Sequence, residues 1–111
     1  MQHPLQHMPL CVCDPNTVKR GDFVTTHLEG FAPSGLPAEN GALKYSPDHR
    51  WYYFPDMTVN ECIVFTQFDQ RKGVDNTLEG AQVLTNFHTG FVDPTAPTEG
   101  LEPRMSCEHR V

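Results

Sequence analysis

Apolar residues in this chain come in short bursts separated by turn-forming residues, a texture that predicts strands and excludes long helices. The first burst, Leu10 through Cys13, is stopped by Asp14, Pro15 and Asn16. Proline presets φ there, and the acid or amide bonds back to the backbone, so a short strand ending in a turn is expected. Residues 19–29 carry a helical pattern with Asp22 placed as its N-cap. Residues 30–37, with Gly30, Pro33, Gly35 and Pro37, break both helix and strand and predict a mobile loop.

From Ala42 onward aromatic residues take over. Leu43 and Tyr45 lead into a turn at Ser46, Pro47 and Asp48, and the run Trp51, Tyr52, Tyr53, Phe54 follows, which reads as a hairpin. Pro55 through Thr58 form a second turn, with Thr58 and Glu61 at the spacing of a capping box. Residues 62–68 hold the densest run of β-branched and aromatic side chains and predict the clearest strand. Residues 69–80 are polar and loop-like, and 82–86, 89–92 and 105–111 are short extended candidates. The pattern predicts about six strands of the usual ~5–6 residues, fewer than the eight of a complete jelly roll. The fold class is mainly β, as part of a jelly roll.

Composition narrows this reading. A chain of 111 residues has room for one domain. Ten prolines and eight glycines leave no uninterrupted apolar helix, so a membrane span is not expected. The start lacks the basic and apolar regions of a secretory signal, which makes a cytoplasmic location the expectation. Cys11, Cys13, Cys62 and Cys107 then read as reduced thiols. A formal net charge of −6 with scattered Lys and Arg excludes nucleic acid as a partner.

The chemistry-bearing residues are few. His88 at a strand start, followed by Arg104 and Ser106, would put a metal ligand and an anion clamp on adjacent strands. A guanidinium with a neighbouring hydroxyl is what grips a carboxylate in two places. The plain alternatives are a turn histidine bonded to backbone and a surface ion pair contributing less than ~1 kcal/mol. A histidine two residues before an acid occurs once, at His27 and Glu29, in a segment without a rigid strand; a solvated pair is the preferred reading there. The Cys11 and Cys13 spacing is too tight for structural zinc, so both thiols are expected to be buried apolar residues. The aromatics at 51–54 could wall a substrate, although core packing is their commoner fate.

Three stretches, residues 9–14, 45–58 and 88–94, together with Arg104, Met105 and Ser106, closely resemble the hydroxylase/desaturase family of fungal secondary metabolism. That family is similar to a cephamycin methoxylation protein and to the endoperoxide-forming oxygenase of meroterpenoid biosynthesis. The resemblance implies a double-stranded β-helix that binds Fe(II) and 2-oxoglutarate and acts on a small natural product. It casts His88 as the distal metal-binding histidine, Arg104 as the cosubstrate carboxylate clamp, and Ser106 beside it. It also implies that residues 1–111 are the C-terminal part of one domain, with the other two iron ligands and the N-terminal half absent. Self-association, or a partner chain completing the barrel, is expected. Three functions follow as alternatives: a 2-oxoglutarate-dependent oxygenase, a catalytically inactive truncated relative acting as a binding or assembly partner, and a cupin-like small-molecule binder.

Overall fold

The computed structural model describes residues 4–30, 35, 38–67 and 85–110. Among them the chain is mainly β, with five strands in two antiparallel sheets and two short 3-10 turns. No helix among the described residues is long and apolar enough to cross a membrane.

Strand β1 (Leu10–Cys13) forms where the first apolar burst predicted it. Asp14 ends it by accepting from the backbone N–H of Asn16 at 2.9 Å, with Pro15 starting the 3-10 turn Pro15–Thr17. The sequence expectation fails next. A second turn at Arg20–Asp22 leads into strand β2 (Phe23–Leu28), not a helix capped by Asp22. Val24, Thr25 and Thr26 branch at Cβ and favour the pleated strand, where β3 (Ala38–Leu43) supplies a partner from Phe23 opposite Leu43 to Leu28 opposite Ala38. The Asp22 side chain instead accepts from the Lys19 backbone N–H at 3.0 Å. Most of the loop expected at 30–37 lies outside the described residues.

Strand β4 (Trp51–Tyr53) follows a turn closed by His49 N–H bonding to the Ser46 carbonyl. It does not form a hairpin with the strand before it. β4 pairs with β1 instead, while β1 pairs on its other side with β5 (His88–Gly90), giving the order β4-β1-β5. The aromatic run is also not core: Trp51, Tyr52 and Phe54 are 41%, 56% and 60% exposed.

Residues 62–67, the most β-prone run, form no ladder, and Val64 is 90% exposed. Propensity stabilises a strand only beside a partner edge. One end does find a partner: Thr66 N–H donates to the Asn86 side chain, and Asn86 N–H donates to the Thr66 carbonyl. Residues 105–110 are likewise not a strand, nor are Thr85 and Asn86; residues 68–84 and 111 lie outside the described residues. Thr58 and Glu61 bond to each other as their spacing suggested, with no helix after them.

Among the described residues the core is small. Cys13, Val18 and Phe87 form it, with Leu43 packed against them. Phe23 links the two sheets by packing its ring at 5.9 Å from Phe87. It lies over Gly41, where an added Cβ would come within 2.7 Å of that ring, so glycine is what permits the close approach.

Candidate functional site

Strand alternation divides the three-stranded sheet into two faces. Cys11 and Cys13 point to the buried face and Val12 to the other. Register then builds a row: Tyr52 stands opposite Val12 across β1 and β4, and His88 stands opposite Val12 across β1 and β5. Directly opposed residues of antiparallel strands share a face. Tyr52, Val12 and His88 therefore line up across the sheet on the side away from Cys13.

His88 is held in one orientation. Its Nδ1 lies 3.0 Å from the Asn86 carbonyl, which can only accept, so Nδ1 carries the proton and donates. In the neutral ring Nε2 then carries the lone pair, the form in which imidazole ligates a metal. Phe65 packs on the ring, with centroids 4.6 Å apart.

Arg104 is not on a strand, yet its head reaches the same face. Gly90 follows His88 by two positions on β5, so its missing side chain would point with the imidazole. A Cβ there would sit 3.4 Å from Arg104 Nη1. Two positions along a strand span about 6.6 Å, which sets the scale separating guanidinium and imidazole. Nη1 donates to the Met8 carbonyl at 3.2 Å, and the buried Nε has no hydrogen-bond partner. Ser106 is exposed.

Other candidates fall away from this face. His27 is exposed on β2, in the second sheet, and Glu29 is exposed beyond its end. No group of three or more His, Cys, Asp or Glu among the described residues is arranged to hold a metal ion. Cys11 and Cys13 are free and buried as expected, and burial raises the pKa of both thiols; Cys11 also donates to the Thr89 carbonyl.

Sequence reasoning missed Val12, Phe65 and Gly90 as neighbours of the site. Alternation from Cys13 could have put Val12 on the opposite face, but register across β4 and β5 is long-range and gave no local signal. It also missed the Asp22–His49 pair, in which the largely buried imidazole donates from Nε2 to the Asp22 carboxylate at 3.0 Å. That bond, with the Lys19 N–H, holds the Asp22 pKa below its ordinary value.

A family model described as an oxidoreductase/YMDC permease-like domain matches residues 1–111. The chain is 34% identical over 109 residues to the hydroxylase/desaturase CTB9 of Cercospora beticola, covering 92% of this chain and 31% of that protein. It is 28% identical over 123 residues to the hydroxylase/desaturase poxK of Penicillium oxalicum, covering 95% of this chain and 37% of the relative. The alpha-ketoglutarate-dependent dioxygenase phiK of a fungal species is 32% identical over 103 residues, covering 92% of this chain and 34% of its own length. This chain thus spans about a third of the curated relatives it matches. No solved structure matches it.

Proposed function

The chain belongs to the oxidoreductase/YMDC permease-like domain family, alongside fungal hydroxylase/desaturases and an alpha-ketoglutarate-dependent dioxygenase, and we propose that it carries one side of a 2-oxoglutarate-dependent oxygenase site. The observation that supports this most is the shared face of His88 and Arg104. With a metal held at Nε2 of His88, a guanidinium about two strand positions away would suit the far carboxylate of a short dicarboxylate chelated to that metal. Arg104 Nε is a buried donor without a partner, which a carboxylate oxygen would satisfy. Ser106 is the neighbouring hydroxyl that would join the grip.

The fit to iron is incomplete. A non-haem iron site takes two histidines and a carboxylate on one face, and among the described residues no group of three or more such side chains is arranged to hold a metal. His27 and Glu29 are on the other sheet. The remaining ligands would then come from polypeptide other than the described residues, completing a jelly-roll barrel of which residues 1–111 are one part. The role of this chain's own residues is to orient: Asn86 fixes the His88 tautomer, and Arg104 fixes the cosubstrate's far carboxylate. The substrate is a small natural product, and the reaction is hydroxylation or desaturation.

A second reading is favoured by the exposed aromatics at 51–54. In it the chain is an inactive relative that binds or assembles with a partner. Iron content and 2-oxoglutarate decarboxylation, measured on the chain alone and after mixing with the unmatched portion of the Cercospora beticola relative, test the two. Stoichiometric iron and turnover in the mixture support the oxygenase reading. Assembly without either supports the second reading.

A further inference from the structure

The face that carries His88 also carries a groove of about 440 Å³. Val12 lies in its lining, Tyr52 and Phe54 form one side, and Val64 and Phe65 come from the facing segment. Tyr52 and Phe54 are two positions apart, so in extended backbone they point the same way. Phe65 both lines the groove and packs on the His88 ring, which brings one side of the groove up to the imidazole.

We propose that this groove binds a flat, uncharged, ring-built organic molecule bearing a hydroxyl group, laid against the aromatic side chains with one edge toward His88. Its volume lies in the range of small-molecule sites, roughly 300–1,000 Å³. Two tyrosyl or phenyl faces on one side and Val64 and Phe65 on the other suit a planar ring system, since offset stacking rewards flat partners. Among the described residues the lining contains no Lys or Arg and one carboxylate, Asp14. One Asp14 oxygen accepts from the Asn16 backbone and side chain, each at 2.9 Å, and the other would be the acceptor for a hydroxyl donor. An acid in the same position would meet repulsion. Calling the molecule a substrate rests on the oxygenase reading; its binding requires no metal.

Titrating 2-naphthol into the chain, followed residue by residue by NMR, tests this. Saturable shifts at Tyr52, Phe54, Phe65 and His88 are expected, with 2-naphthoate at least tenfold weaker. Val64→Glu should weaken 2-naphthol at least fivefold without altering the unfolding curve, because Val64 is 90% exposed and supports no packing. 2-Oxoglutarate titrated in parallel reads the Arg104 clamp, which lies outside the groove, so failure of the clamp and failure of the groove are read separately. Shifts scattered away from the groove, equal binding of naphthoate, or indifference to Val64→Glu would overturn the proposal. So would concentration-dependent line broadening at Tyr52 and Val64 that 2-naphthol fails to relieve, which would show a second copy covering the groove.

Discussion

The guanidinium of Arg104 stands over Gly90, where an added Cβ would meet Nη1 at 3.4 Å. That distance is an ordinary contact for one carbon but leaves no room for a branched side chain. Gly90→Ala should therefore keep 2-oxoglutarate affinity within about twofold, whereas Gly90→Val should push the guanidinium away and weaken it about tenfold, roughly 1.4 kcal/mol. Calorimetric titration of both variants, in the chain complemented with the relative's remaining portion, checks this.

His88 and Arg104 serve opposite ends of the proposed cosubstrate, so their losses should differ in kind. His88→Ala removes the proposed imidazole ligand and should abolish iron retention in the complemented protein, while 2-oxoglutarate still protects the Arg104 side chain from modification. Metal analysis alongside arginine-directed labelling separates the two effects.

Asp22 and His49 tie the turn before β2 to the segment before β4. The bonds from His49 and the Lys19 N–H depress the Asp22 pKa, so their stabilisation is fully present above the ordinary value of 3.8 and is lost as pH falls through the lower folded value. Asp22→Asn should unfold more readily than the parent at neutral pH, with the gap closing only below about pH 4. Denaturant titrations at pH 7, 4 and 3 would show this; a gap that widens on acidification would contradict it.

The four thiols should divide by burial. Cys62 and Cys107 are exposed, whereas Cys11 and Cys13 are buried and their pKa values are raised. Since the thiolate is the nucleophile, Cys62 and Cys107 should react with Ellman's reagent in the native protein and Cys11 and Cys13 only on unfolding. Cys13→Ser, placing a hydroxyl at a position 1% exposed, should destabilise by about 1–3 kcal/mol.

What the sequence conveyed was local. Leu10 to Cys13, the Asp14 turn, the Ser46 turn and the His88 strand start are written in neighbouring residues and appear as read. What it did not convey was pairing. Residues 62–67 have the composition of a strand, but a ladder also needs an edge of matching register, and composition does not say whether one is present. Phe23 to Leu28 carry a weak helical periodicity, but four of these residues have aromatic or β-branched side chains, which favour the strand once β3 supplies a partner. The site shows the same division. His88 and Arg104 were legible as residue types and as a family resemblance, whereas their common face depends on β1 lying between β4 and β5, a relation among segments separated by tens of residues.

Whether Arg104 grips a carboxylate of 2-oxoglutarate on the His88 face is read from the affinity of the complemented protein for 2-oxoglutarate with Arg104 intact, changed to Lys and changed to Ala. Losing a charge-assisted bond of about 1.5–3 kcal/mol predicts a ten- to hundredfold weakening for Arg104→Ala. Arg104→Lys should recover little of it, because an ammonium keeps the charge without the planar two-point grip. An Arg104→Ala variant that binds 2-oxoglutarate within twofold of the parent would contradict the claim and remove the main chemical support for an oxygenase site on this face.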